Sequence, residues 1–259
     1  MKKRFYQFGI LSLLCFSFYL THELAFFMKK SDPIYQSILA MKQDYEIDSF
    51  DAQIVDDYII PGVNGEMIDL DQSYQNMHKN GAFYKNKLVY AVKEPSISMQ
   101  DNKDKIIFRG NPQKKGVTLL IDSEEFSTYF DELGINYAIL TTKQNDSFHY
   151  QYGEKVLSDS KNYAEVEKWL KKEGEDIGYC YVKAIGKEQC IKSNKYLFLE
   201  SKRISKSNFA SQYSLISSGD ILFIDSSIGI SYLKVLLHQI EFRGYRILPL
   251  TKLLSEERI

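Results

Sequence analysis

From residue 115 onward the chain repeats one pattern: a short apolar run, a turn, then apolar residues at helical spacing. Residues 117–121 (V-T-L-L-I) read as a buried strand, and residues 124–133 set Phe126, Tyr129, Phe130 and Leu133 on one helical face ahead of Gly134. Residues 136–141 are the next strand. Asn162 with Glu165 makes a capping-box signature for a helix carrying Val166, Trp169 and Leu170 and stopping at Gly174. Strands follow at 177–182, 196–199 and 220–224. The last leads into a helix whose Ile230, Leu233, Leu236, Leu237 and Ile240 share a face and whose end is marked by Gly244. Residues 245–248 and a short helix around Lys252 close the chain. Parallel strands need a crossover rather than a tight turn, so this alternation predicts an α/β fold with a mostly parallel sheet or barrel. Function in such folds sits where strands end and helices begin. Those positions are Asp122-Ser123, Thr141-Thr142, Lys183-Ala184, Glu200-Ser201 and Asp225-Ser226.

The first 31 residues follow a different rule. Lys2, Lys3 and Arg4 precede an uncharged stretch at 5–21, then His22, Glu23, an apolar 24–28 and Lys29-Lys30. A basic start before an apolar run is a secretory signal or an anchor helix. The small-x-small pattern of a cleavage site is missing, and Leu14 stands before Cys15 where a lipoprotein would carry a small residue. As a helix, residues 5–28 would reach roughly 36 Å, enough to cross the hydrocarbon with some tilt. The reading is a single-pass, uncleaved membrane anchor with the body extracytoplasmic; a cleaved signal and a peripheral helix are the alternatives. Outside the membrane, Cys180 and Cys190 either pair or stay as two buried thiols.

Between anchor and alternating region, residues 34–45 read as a short amphipathic helix or stalk. Residues 46–116 are loop-rich, with a turn at 61–65, a short helix opened by Asp71 and closed by Gly81, and a strand-like run at 87–93. The expected organisation is therefore 1–31 anchor or signal, 32–114 stalk and accessory segment, and 115–259 main domain. With 44% hydrophobic residues the 259-residue chain can bury a real core, and its net charge of -1 gives no global reason to bind nucleic acid. Three cysteines are too few for a disulfide scaffold or a zinc ribbon. Nucleophile-elbow, zincin, P-loop and dinucleotide-binding motifs are all missing from the sequence.

Several segments resemble a known family. Residues 117–124 (V-T-L-L-I-D-S-E) and 129–140 (Y-F-D-E-L-G-I-N-Y-A-I-L) follow the order of V-A-L-T-F-D-D-G and L-L-D-I-L-K-K-Y-G-V-K-A-T-F-F-V. Residues 174–181 echo G-H-E-I-G-N-H-T, and residues 219–226 and 244–254 echo G-x-I-I-L-L-H-D and G-Y-x-F-V-T-L-x-E-L-L. Residues 115–142 and 174–254 thereby resemble the polysaccharide deacetylase family, the NodB-type carbohydrate esterases. The resemblance implies a distorted (β/α) barrel acting on acetylated envelope or cell-wall glycans, with a divalent metal held by one Asp and two His. It places the family's base on Asp122, its metal-ligating Asp on Ser123, its two ligand histidines on Cys180 and Ala184, its acid His on Asp225 and the neighbouring Asp on Ser226. The family's arginine motif is not recognisable around residues 198–201.

Such a site needs three protein ligands and an open position for water. Alanine has no donor atom, a serine hydroxyl is a poor ligand, and a lone thiolate holds zinc weakly. The expectation is thus no metal and no cofactor, and a degenerate deacetylase-like protein that binds a cell-wall glycan or an envelope protein. Two alternatives stand beside it: a hydrolase of carbon–nitrogen or ester bonds using Asp122 and Asp225 without metal, and a structural envelope scaffold. Asp122 and Asp225 each have a plain structural reading as caps, Asp122 with Glu125 three residues on and Asp225 ahead of Ser226-Ser227. If both share a cleft, the pair should have one raised pKa. Tyr179 and Tyr181, with Tyr150 and Tyr152, are candidates for stacking on sugar rings. His149 can approach from a long loop, and His238 falls on an outer helix. Lys171-Lys172 and Lys202-Arg203 read as solvated basic runs.

Overall fold

The computed structural model describes residues 2–145 and 148–259, with side chains described except at residues 2–10 and 12. In chain order the helices and strands are α1 (Lys2–Ser31), α2 (Pro33–Ala40), α3 (Lys42–Tyr45), β1 (Gln53–Val55), β2 (Tyr58–Ile60), β3 (Gly65–Ile68), α4 (Leu70–His78), β4 (Tyr90–Lys93), β5 (Ile106–Ile107), β6 (Gly116–Ile121), α5 (Glu124–Leu133), β7 (Tyr137–Thr141) and β8 (Gly153–Leu157). Then come α6 (Tyr163–Glu173), β9 (Tyr179–Tyr181), α7 (Val182–Ile185), α8 (Lys187–Lys192), β10 (Tyr196–Phe198), β11 (Lys202–Ile204), α9 (Phe209–Gln212), β12 (Ile221–Ile224), α10 (Ile230–Phe242), β13 (Arg246–Ile247) and α11 (Leu250–Leu254). They gather into two compact units, one of Met1–Asp48 with Gly65–Lys93 and one of Ser49–Asn64 with Glu94–Ile259.

In the first unit α2 and α4 bury Ile34, Ile38 and Met77 with Ile68 of the antiparallel β3–β4 pair. The helix expected to open at Asp71 opens at Leu70 and ends at His78, because the Asp69 carboxylate accepts the Gln72 N–H at 2.9 Å and caps it. Helix α1 exposes Leu13, Leu14, Phe16, Phe18, Tyr19, Leu20, Leu24, Phe27 and Met28. Among the described residues no helix is long and apolar enough to cross a membrane. The expected anchor lies partly outside them, since side chains 2–10 and 12 are not described.

The second unit is built on two sheets. One runs β11-β12-β6-β7-β8 with β13 also on β6, every pairing parallel. The other runs β1-β2-β5-β10-β9, parallel except for the β1–β2 hairpin. Their facing sides share one apolar interior, with Leu120, Ala138, Ile221 and Phe223 of the first meeting Ile107, Tyr179, Tyr181 and Phe198 of the second. Outside the first sheet, α5 and α10 lay Phe126, Phe130, Leu233 and Leu236 against Leu119, Ile121 and Ile224. Outside the second, Val166 and Leu170 of α6 cover Cys180 and Leu197. This is the mostly parallel α/β architecture that the alternating pattern predicts, with two facing sheets where the family resemblance implies a distorted barrel.

The structure redraws the expected boundary at 115. Strands β1, β2 and β5 hydrogen-bond into the sheet of β9 and β10, so residues 49–64 and 94–114 belong to the same unit as the alternating region. Strands of two or three residues are too short to show a period in sequence. The capping box at Asn162 also fails to form: Asn162 makes no cap bond, and the Asp159 carboxylate takes the N–H groups of Lys161 and Asn162 instead. Cys180 and Cys190 are joined in a disulfide, their Cα atoms 5.7 Å apart.

Gly219 leads into β12 with φ +91°, and a Cβ there would lie 2.2 Å from the Gly110 carbonyl oxygen. Gly174, which ends α6 at φ +74°, has open space around it. Gly219→Ala should therefore lower unfolding free energy by about 3 kcal/mol or more, combining backbone strain with overpacking, and Gly174→Ala by only about 1–2 kcal/mol. Urea denaturation of the two variants checks the ordering.

Candidate functional site

All the barrel strands except β1 run in parallel pairings, so their carboxyl ends collect the loops that carry polar groups. Arg203 of β11 ties these ends together. Its guanidinium approaches Glu200, which follows β10, at 3.3 Å and Asp225, which follows β12, at 3.6 Å. The guanidinium carbon lies 3.6 Å from the centre of the Phe223 ring, a cation–π contact. Glu200 is nearly buried, its side chain 8% exposed, and accepts further bonds from the Tyr181 hydroxyl at 2.6 Å and the Lys183 ammonium at 2.7 Å. Burial alone would push its carboxyl up, but Lys183 and Tyr181 overcome that and hold it below the usual carboxylate range.

Asp122 follows β6 and Asp225 follows β12, and β6 and β12 are paired neighbours, so both carboxylates lie at one end of one sheet. Asp122 is solvent-exposed at its carboxyl end of β6. The protein mass around it, and next the charge of Asp225, raise its pKa against the opposing pull of its own backbone N–H and Arg203. Asp225 goes the other way: the Ser227 N–H at 3.0 Å, then the Ser227 hydroxyl and Arg203, hold it low. Asp122 thus resists ionisation, more through desolvation by the surrounding protein than through Asp225, and Asp225 favours it. The helix-cap reading holds for neither residue: Asp225 closes its own turn through the Ser227 N–H while Gly229 is the N-cap of α10, and the N-cap of α5 is Ser123, which makes no side-chain cap bond.

The other carried-over positions do not join this constellation. Along β9 the side chains alternate, so Tyr179 and Tyr181 enter the barrel interior while Cys180 points into the outer layer under α6, disulfide-bonded to Cys190. Ala184 lies on α7. Ser123, Cys180 and Ala184 therefore do not fit the metal that the family resemblance implies. Among the described residues no group of three or more His, Cys, Asp or Glu side chains is placed to hold one.

The sugar-stacking expectation for Tyr179 and Tyr181 is corrected as well. They are only 6% and 2% exposed, Tyr179 against Tyr196 and Tyr181 against Phe198, so neither offers a free ring face. Tyr150 packs edge-on to Tyr137. His149 lies beside α5 with Phe148, Thr128 and Asp131, and His238 lies on the outer helix near Tyr129 and Glu241. Lys202-Arg203 is not a solvated run: on a strand adjacent side chains oppose, so Arg203 serves the mouth while Lys202 binds the buried Asp220. Glu200, Lys183 and Arg203 are the residues sequence reasoning missed in this role, although Glu200 and Lys183 stood at flagged strand ends.

The two sheets and their carboxyl-end site define an α/β domain with the fold of CE4 carbohydrate esterases. The wild-type structure of a CE4 family pseudoenzyme from Bacillus anthracis matches 88% of this chain and 97% of its own, with a TM-score of 0.58 and 18% identity. A mutant of that protein with restored enzymatic activity matches 87% of this chain and 99% of its own, again with a TM-score of 0.58 and 18% identity. In sequence, 150 residues are 30% identical to Uncharacterized protein YlxY of Bacillus subtilis (strain 168), covering 57% of this chain. The match spans 44% of the length of that relative. No protein-family model matches the chain.

Asp122 ionises less readily in the folded chain than in the unfolded one, so it subtracts stability as pH rises through the ordinary carboxylate range near about 4. Asp225 ionises more readily, so it adds stability above that range and loses it as pH falls through its lowered value. Asp122→Asn should accordingly raise the melting temperature at neutral pH and Asp225→Asn should lower it, both differences closing in acid. Thermal melts followed by circular dichroism across that range read the two signs.

A graft of the missing ligands tests the placement of Cys180. The triple variant Ser123→Asp, Cys180→His, Ala184→His should carry zinc only at background by elemental analysis, and should unfold at lower denaturant than the parent. Stoichiometric zinc would show that position 180 reaches the mouth.

Proposed function

We propose that this chain is a degenerate polysaccharide-deacetylase-like protein, a CE4-type pseudoenzyme of the cell envelope that binds cell-wall glycan or an envelope partner without metal-dependent hydrolysis. One observation carries the reading: the three positions that would need Asp, His and His are a serine, a disulfide-bonded cysteine in the outer layer, and an alanine. A framework likeness to a pseudoenzyme of the CE4 family supports it.

The N-terminal helix is proposed to hold the protein in the cell membrane as a single pass, with Lys2, Lys3 and Arg4 on the cytoplasmic side and the main domain extracytoplasmic. Two features favour this. Large apolar side chains stand uncovered over much of residues 11–28 of α1, a surface that a bilayer would cover. A disulfide persists in an oxidising compartment, and Cys180 is bonded to Cys190.

A second reading has an observation of its own. The opposite shifts of Asp122 and Asp225 suit a metal-free acid and base on carbon–nitrogen or ester bonds of acetylated glycans. Purified full-length chain, incubated with N-acetylated and O-acetylated glycans in chelator or in added zinc or cobalt, is expected to release acetate only at background and to be retained on insoluble cell-wall glycan. Metal-stimulated release would overturn the pseudoenzyme reading. Chelator-resistant release abolished by Asp122→Asn, with the fold intact, would establish the second.

A further inference from the structure

Beside the carboxylate pair lies a groove of about 510 Å³ lined by Val182, Lys183, Leu199, Glu200 and Arg203. Its charged members are unequal in what they offer a ligand. Glu200 is almost sealed from solvent and its oxygens already accept from Tyr181, Lys183 and Arg203. Lys183 and Arg203 are 55% and 37% exposed, and each has more donors than its carboxylate contacts use, Lys183 with Glu200 and Arg203 with Glu200 and Asp225. Asp225, 3.6 Å from Arg203, balances the remaining positive charge, so what the groove offers a ligand is the unused donors of an ammonium and a guanidinium rather than net charge. Glu200 fixes both cations, and the Phe223 ring holds the guanidinium plane, so little side-chain ordering remains for a ligand to impose. Val182 and Leu199 add apolar surface suited to the C–H face of a sugar ring.

The geometry points to a subsite for an acidic saccharide, a sugar whose carboxylate is received by Lys183 and Arg203 while its ring rests on Val182 and Leu199. This rests on the glycan-binding reading and names the class of glycan. A guanidinium fork and an ammonium together match a carboxylate, and such charge-assisted bonds are stronger than those a hydroxyl would make there. A neutral glycan could meet the same donors only with hydroxyls, the weaker partners.

The test compares calorimetric binding of full-length chain to a hexamer of N-acetylglucosamine and to a hyaluronan hexamer, whose alternate sugars carry carboxylates. The acidic hexamer should bind about tenfold tighter, a preference of the size one charge-assisted contact supplies. Lys183→Gln should remove most of the preference at a modest loss of melting temperature, since it also takes a charged donor from Glu200, and the chain should stay folded; Arg203→Gln should do the same if it folds. Equal affinity for the two hexamers would overturn the subsite and leave glycan binding standing. So would a preference that Lys183→Gln does not change. Failure to bind either hexamer, or insoluble wall glycan, would overturn the glycan reading itself.

Discussion

A strand whose every side chain is sequestered must be covered on both faces and hydrogen-bonded to neighbours, and β6, Gly116–Ile121, imposes that requirement on the main unit. Its pairings with β12, β7 and β13 satisfy the backbone. Leu120 faces the interior shared with the second sheet, while Val117, Leu119 and Ile121 need α5 and α10 outside them. The parallel direction of those pairings then fixes where the polar loops go. Asp122 and Asp225 become neighbours because the strands that deliver them are neighbours in register, Ile121 opposite Ile224.

The charges at that end follow from burial. Glu200 lies where water scarcely reaches, and a lone carboxylate there would be costly to desolvate. Tyr181, Lys183 and Arg203 supply the donors, and Arg203 in turn reaches Asp225. A guanidinium already flanked by two carboxylates and an aromatic ring occupies the electrostatic role of a fixed cation at this mouth. The position on which the family resemblance places the first histidine ligand serves packing instead: Cys180 lies in a layer with Val166, Leu170 and Cys190.

How much of this was legible in sequence depended on whether an element declared itself locally. Strand β6 did, as five consecutive apolar or β-branched residues, and α5 did through its face and Gly134, which takes φ +67°. Strand β8 did not. It carries Glu154, which accepts from the Thr251 N–H, and Lys155, which pairs with Glu175 at 2.7 Å and sits 4.2 Å from the Trp169 ring centre. Two charges in five residues read as loop until the distant partners that neutralise them are known. The same holds for β11, where Lys202 and Arg203 look solvated because Asp220, Glu200 and Asp225 come together only in space. Site legibility had a finer limit. The alternating pattern located the strand ends to within about two residues, but which of Tyr179, Cys180 and Tyr181 faces the interior is a matter of one residue of phase.

That phase bears on why the framework outlasts the chemistry. Glycines at 134, 174 and 244, each at positive φ, and the apolar runs of β6 and β12 are demanded by the backbone and the core. Altering them costs folding free energy whether or not the protein turns over a substrate. Ligand residues are under no such demand: a metal-binding histidine contributes little to the core, and removing it relieves the burden of gathering polar side chains at a strand end. Once metal is dispensed with, the strand ends are free to satisfy ordinary packing and pairing. A cysteine can join the outer layer, an alanine can fill a helix turn, and a carboxylate such as Asp225 can cap its own loop through Ser227. What persists is a fold that still brings Asp122, Asp225 and Arg203 to one end of one sheet, because β6, β12 and β11 that deliver them are successive parallel neighbours.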